Sequence, residues 1–232
     1  MVITDLLELA ARQVADSVST QGHQAACIPA NLLYEDEVAH LFDETVRQFG
    51  RVDGAFCNAG VGYQQGVLET DAEAFDRVLT VNVRGVFLCC KHAFRHMKGN
   101  RSGSLVLTSS RVAMATYPRM VPYTASKGAV LSMARALAVD FGAEGVRVNA
   151  VLPGVTETPM FKKELEDTGN PAATRAYFDR QSLLGGVAQP QDIAAATAFL
   201  LSDAARFITG TSLVVDGGCL ARLFEGSPGH GV

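Results

Sequence analysis

The chain has 232 residues, 48% of them hydrophobic and 19% charged, with a formal net charge of −4. That balance suits one globular α/β domain with a filled core and excludes a disordered chain. With no cluster of Lys and Arg, it argues against nucleic acid or an anionic membrane surface as partner, and no apolar run approaches the roughly 20 residues of a membrane span.

Val2–Thr4 is a very short apolar run closed by Asp5. Leu6–Ser19 has helical spacing through Leu6, Leu9, Ala10, Val14 and Val18. Asp5 and Glu8 make this opening acidic as well as amphipathic, unlike a signal peptide. Gln24–Pro29 reads as a second strand and Asp36–Phe49 as a helix with Val38, Leu41, Phe42, Val46 and Phe49 on one side. Gly54–Cys57 reads as a strand that runs into Asn58-Ala59-Gly60. Glu73–Lys98 reads as one long helix, Gly103–Thr108 as a buried strand, and the run after Pro122 as another long helix. Val146–Leu152 is a strand closed by Pro153-Gly154; Thr156–Leu184 is a polar, mixed segment; Gln191–Leu201 is a helix and Ser212–Val215 a last strand. This alternation predicts a single doubly wound parallel sheet over residues 1–218 with right-handed crossovers. A Gly- and Pro-containing tail, 219–232, follows it.

The chemistry concentrates in Thr108–Lys127. Ser109 and Ser110 stand at the C-terminal end of a predicted parallel strand, the edge where open α/β sheets collect their active groups. Tyr123 and Lys127 are one turn apart on one helix face. A phenol titrates near pH 10, too high for a good base at neutral pH. A neighbouring ammonium favours the phenolate, so the pair is expected to act as a general acid–base, with the serine holding a substrate oxygen.

The S-x12-Y-x3-K arrangement of Ser110, Tyr123 and Lys127 resembles the catalytic signature of the short-chain dehydrogenases/reductases, and the resemblance runs from residue 1 to about Gly218. It implies a Rossmann-like α/β fold and hydride transfer between NAD(H) and a small alcohol or ketone. Tyr123 would be the acid–base, Lys127 would lower its pKa and bind the ribose, and Ser110 would hold the substrate oxygen. Asn82 matches the asparagine that kinks the family's long helix and serves its proton relay; Asn is a poor helix-interior residue. Val81 would pack near the cofactor.

The resemblance assigns further cofactor contacts. Asp5 would bond the adenosine ribose hydroxyls and repel a 2′-phosphate, implying NAD over NADP; it reads equally well as a helix N-cap. Asn31 and Leu32 lie where the family faces the adenine, Asn31 keeping an acceptor oxygen in place of the usual Asp. Asn58-Ala59-Gly60 matches the last three residues of N-N-A-G, with Cys57 replacing the first Asn. In N-x-V-x-P-G, Pro153, Gly154 and Val155 would lie against the nicotinamide, with Thr158 reaching its amide or the phosphates. Met114, Tyr117, Arg119 and Met120 could line a pocket, and Thr156–Leu184 would be the substrate lid.

The chain departs from the family at its front. Met1 stands where the family's second strand begins, so the first strand, the glycine-rich turn that cradles the pyrophosphate and the first helix are expected to be absent, roughly 30 residues of a βαβ unit. The run Gly60-Val61-Gly62-Tyr63-Gln64-Gln65-Gly66 is glycine-rich but has the wrong spacing. A start placed too far downstream, a shortened protein and an altered sheet all remain open. The expectation is weakened cofactor binding, and the alternative function is a non-catalytic, oligomeric relative; a lyase or epimerase of the same superfamily is a third reading. The two long helices are those the family packs between subunits, so a homotetramer or dimer is expected.

No metal site is expected: His23, His40, His92, His96 and His230 form no ligand set, and the i, i+4 pair His92 and His96 reads as exposed helix surface. The five cysteines, with Cys89 and Cys90 adjacent and Cys27, Cys57 and Cys219 isolated, read as free thiols of a reducing, cytoplasmic setting.

Overall fold

The computed structural model describes residues 1–221. Its elements run β1 (Val2–Ile3), α1 (Glu8–Thr20), β2 (Ala26–Cys27), α2 (Glu35–Phe49), β3 (Gly54–Cys57), α3 (Ala72–Leu79), α4 (Val86–Met97), β4 (Gly103–Thr108), α5 (Val121–Gly142), β5 (Val146–Pro153), α6 (Pro159–Glu166), α7 (Pro171–Gln181), α8 (Pro190–Leu201) and β6 (Ser212–Val215). This is a single-domain, Rossmann-like α/β fold with parallel pairing throughout. Of the expected tail, Cys219–Ala221 form a short 3-10 turn, and 222–232 lie outside the described residues.

The strands form two sheets: β1 with β2, and β3-β4-β5-β6 in that order. The first two strands are thus separated from the rest, where one continuous sheet was expected: the strand that would join them is absent from the described residues. Along β4 the side chains alternate as a strand requires. Leu105 and Leu107 join the large core with α2, α4 and α5, while Val106 packs with Ile193 and Leu200 of α8 on the opposite face. The two-stranded sheet joins the body through side chains rather than a ladder: Ile28, Val38, Leu41 and Phe42 belong to the same core as Leu88, Cys89 and Ala93 of α4. Buried groups of this size contribute about 1.5–3 kcal/mol each. The Phe94 and Phe141 rings stack at 3.7 Å between α4 and α5.

Three expectations need correction. The long helix Glu73–Lys98 is interrupted by a π turn, Thr80–Gly85, centred on Asn82. The mixed segment Thr156–Leu184 contains two helices, α6 and α7, each opened by an Asn or Thr cap and a proline, Thr158 with Pro159 and Asn170 with Pro171. His92 is buried, not exposed: it is 3% exposed with Nε2 3.2 Å from Glu35 Oε1, while His96 Nε2 lies 3.1 Å from Asp43 Oδ1. Both imidazoles tie α4 to α2 across the core, which a one-helix view of i, i+4 spacing could not show. Cys57 is a buried free thiol: the neighbouring Cys89 pulls its pKa down, but Cys90 and burial push it well up.

Candidate active site

Strand register collects the site at one edge. Cys57 pairs with Leu107, Thr108 with Val151 and Pro153 with Val215, so Asn58, Ser109, Ser110 and Gly154 all leave the sheet at its C-terminal end. Ser109 locks the next layer: its N–H donates to Val151 O at 2.9 Å and its hydroxyl to Lys127 O at 2.8 Å. That bond fixes α5 against the strand ends. Ser110 opens a 3-10 turn, its Oγ accepting from Val112 N at 3.3 Å. Its hydroxyl lies near the Tyr123 phenol and favours the phenolate. Lys127 Nζ donates to Thr108 O at 2.8 Å and lies 5.7 Å from the Tyr123 ring centroid. Ser110, Tyr123 and Lys127 therefore share one cleft.

Asn82 is fully buried and saturated. Its Oδ1 accepts from Val61 N at 2.8 Å; its Nδ2 donates to Val61 O at 3.0 Å and to Ser126 Oγ at 3.0 Å. Ser126 in turn donates to Tyr123 O at 2.7 Å. The π turn swings this carboxamide out of the helix and stitches the Gly60–Val61 loop to the catalytic helix. π turns are rare and concentrate at functional sites.

Burial dominates the electrostatics. It raises the Tyr123 pKa, the Ser110 hydroxyl opposing and the Glu164 carboxylate reinforcing. The same desolvation lowers Lys127 to about 8. The phenol thus lies above the ordinary range rather than below it: loss of water is the largest effect on it, and the Lys127 ammonium bonds a strand-end carbonyl.

The residues assigned to the cofactor fall into two groups. Asn58 and Ala59 are exposed, Gly60 is half-buried, and Asn58 Oδ1 accepts from Thr108 Oγ1 at 3.0 Å. Gly154 donates to Val215 O at 2.8 Å, and a Cβ there would meet Asp216 Cα at 2.8 Å, so only glycine fits. Val155 O accepts from Ala188 N at 3.0 Å, and Thr158 Oγ1 caps α6 by accepting from Phe161 N at 3.3 Å. Val81 is half-buried within the π turn. On the small sheet, Asp5 Oδ1 accepts from Leu7 N at 2.9 Å in a turn ahead of α1, whose cap position is Leu7 itself. Asn31 Oδ1 accepts from Leu33 N at 3.0 Å. Leu32 packs on Gly85, and Arg84 Nη1 reaches Leu33 O at 2.7 Å, so the adenine-side loop is tied to the π turn. The two groups suit the nicotinamide-ribose and adenosine ends of a dinucleotide. The glycine run between them is otherwise engaged, Val61 on Asn82 and Gly62 against Met160, 3.3 Å from Sδ to a Cβ placed there.

Two charged side chains were missed in the sequence. Glu164 of α6 lies half-buried near Tyr123, its carboxyl raised by desolvation. Arg111 is 4% exposed, its Nη2 bonded to Tyr117 Oη and, at 3.1 Å, to Gln181 Oε1 of α7. A guanidinium directly after a buried strand was the available signal. The pocket-lining residues expected between Ser110 and Tyr123 divide: Tyr117 turns inward onto Arg111, while Met114 is exposed.

The structure thus gathers Ser110, Tyr123 and Lys127 at the C-terminal edge of a Rossmann-like sheet. A family model described as enoyl-(acyl carrier protein) reductase matches residues 1–219. The chain is 39% identical over 222 residues to a cis-4-hydroxycyclohexanecarboxylate dehydrogenase of Sinomonas cyclohexanicum, covering 95% of this chain and 86% of the relative. Among solved structures it superposes on a gluconate 5-dehydrogenase from Burkholderia cenocepacia in complex with NADP and tartrate, with TM-score 0.88, 26% identity and coverage of 96% and 86% of the two chains. It also superposes on an NAD+-bound xylitol dehydrogenase, with TM-score 0.88, 29% identity and coverage of 94% and 88%. The chain belongs to the short-chain dehydrogenase/reductase family, a family of oxidoreductases.

Proposed function

We propose that the chain is an oxidoreductase that moves a hydride between NAD(H) and a small alcohol or ketone, and that Tyr123, Ser110, Lys127 and Asn82 carry the acid–base work. The observation that supports this most is Lys127 Nζ 5.7 Å from the Tyr123 ring and bonded to Thr108 O, with Ser110 beside them at the C-terminal sheet edge. A substrate hydroxyl seated between Ser110 and Tyr123 would donate to one and accept from the other. In oxidation its proton passes to the Tyr123 oxygen, and in reduction Tyr123 returns a proton to the carbonyl oxygen. The nicotinamide supplies the hydride acceptor or donor. Lys127, displaced from Thr108 O, would hold a ribose hydroxyl and stabilise the phenolate. Asn82, with its carboxamide occupied, acts by holding the Gly60 loop and α5 in register.

Asp5 favours NAD over NADP, since its Oδ2 is left for a ribose hydroxyl and its charge repels a 2′-phosphate. The pyrophosphate between the two ends has no helix N-terminus with a free glycine-rich turn among the described residues, so binding is weak. Calorimetric titration with NADH tests this; a micromolar Kd would refute it. Millimolar NAD+ with a small alcohol should then give slow reduction, followed at the nicotinamide absorbance.

The divided sheet favours a second reading, a non-catalytic relative that works as a homo-oligomer. The exposed apolar Phe87 of α4 and Val139 of α5 support association through those helices, as a dimer or tetramer. Light scattering gives the oligomeric state, and complete absence of NADH binding would select this reading.

A further inference from the structure

Arg111 is a charge in the interior that no carboxylate among the described residues neutralises. Its two hydrogen-bond partners, Tyr117 and Gln181, are neutral groups; the Tyr117 phenol is pushed up to about 12 by burial, so it stays protonated at physiological pH. Tyr117 also donates to Gln181 Oε1 at 2.6 Å and offers its ring to the guanidinium, 5.3 Å from centroid to Cζ. Among the described residues no Asp or Glu forms an ion pair with Arg111. Both bonds are made by Nη2, so among the described residues Nε and Nη1 carry no hydrogen bond. Buried charges are ordinarily paired, because loss of hydration is otherwise uncompensated. Tyr117 and Gln181 are only half-buried, so the cluster reaches the surface at these two side chains, beside Cys219, whose Sγ donates to Gln181 Oε1 at 3.7 Å.

Its place is equally specific. Arg111 follows Ser110 directly, and Gln181 ends the helix that covers the site. Resting on the reading of Ser110 and Tyr123 as the alcohol site, we propose that Arg111 is a carboxylate subsite and that the substrate is a hydroxy- or oxo-carboxylate. The carboxylate would accept a single charge-assisted hydrogen bond from the Nε or the Nη1 side of the guanidinium, Nη2 being held by Tyr117 and Gln181. Gln181 and Tyr117 would hold the guanidinium plane. Glu164, beside Tyr123 at the other end, repels a second negative charge, which orients the substrate with its alcohol carbon toward Tyr123 and its anion toward Arg111.

The probes are cyclohexanecarboxylate and its neutral isostere cyclohexanecarboxamide, titrated onto the wild-type chain by NMR with and without millimolar NADH. The carboxylate should bind at least tenfold tighter, Arg111→Gln should abolish that preference, and Arg111→Lys should retain part of it. Equal affinities in the wild type, no carboxylate binding at tens of millimolar, or a preference that survives in a folded Arg111→Gln would each overturn the subsite. The wild-type comparison needs no variant, so misfolding of Arg111→Gln does not decide it. Turnover separates the two claims. Carboxylate binding with no oxidation of 4-hydroxycyclohexanecarboxylate at millimolar NAD+ overturns the dehydrogenase reading and leaves the subsite. Equal kcat/KM for that acid and cyclohexanol overturns the subsite and leaves the dehydrogenase.

Discussion

Gly60 and Asn82 leave no room for a methyl group between them: a Cβ on Gly60 would stand 3.0 Å from Asn82 Oδ1 and 3.5 Å from Lys127 Nζ. Asn82 cannot retreat, since three hydrogen bonds fix it. Gly60→Ala is therefore expected to cost about 1–3 kcal/mol, the range for overpacking. It should also displace Lys127 and lower kcat in an active preparation. Urea denaturation reads the first effect; an unchanged midpoint would show that the loop yields freely.

Asn82→Leu keeps the volume and strips the bonds. Val61 N–H and C=O lose their partners, and a half-buried pair left unsatisfied costs on the order of 2–4 kcal/mol. With no carboxamide to anchor outside the helix, the π turn should tighten to α geometry. A loss under about 0.5 kcal/mol by denaturant titration would mean that water replaces the lost bonds.

Tyr123→Phe removes the group near the Ser110 hydroxyl that can pass a proton to a substrate oxygen. Proton transfer by a positioned side chain is worth about 10²–10⁴-fold, and kcat should fall by that factor while NADH affinity stays within about twofold. Unchanged kcat removes the phenol from the mechanism.

Lys127 makes stability depend on pH. Its folded pKa, about 8, lies below the ordinary 10.5, so the unfolded chain holds its proton more tightly. Stability in this group therefore rises as pH climbs from about 8 to 10.5, and the full penalty is present below 8. A gap of this size corresponds to about 3 kcal/mol. Lys127→Met should raise stability at pH 7 and flatten the profile between pH 8 and 10. A slope identical to wild type would place the ammonium in solvent. Tyr123 pulls the other way only above pH 10, where its raised pKa lets the unfolded chain lose the proton first.

Much of this site could be read from spacing. Ser110, Tyr123 and Lys127 meet because a strand end and one helical turn fix their relative positions, and both are local patterns. The strands Gly54–Cys57, Gly103–Thr108 and Ser212–Val215 have the bounds their apolar runs predict. What spacing could not give was through-space: the burial that lifts Tyr123 and lowers Lys127, the Glu35 carboxylate that pulls His92 inward, and the Tyr117–Gln181 partners that reveal Arg111. The helices α6 and α7 were hidden for another reason. Their faces carry few apolar residues, and their starts rest on Thr158 and Asn170 caps rather than on periodicity.

The short β1–β2 pairing has a consequence for how the molecule wears out. A ladder of two residues per strand is too small to persist on its own, and within the segment from Met1 to Cys27 it is Val2 that packs against the large core. Amide exchange there should outpace β4 and β5 by orders of magnitude, as expected of a low-stability cooperative unit. Proteases would find their first cut in the same stretch, and a ligand touching both Asp5 and Lys127 would slow them by spanning the seam.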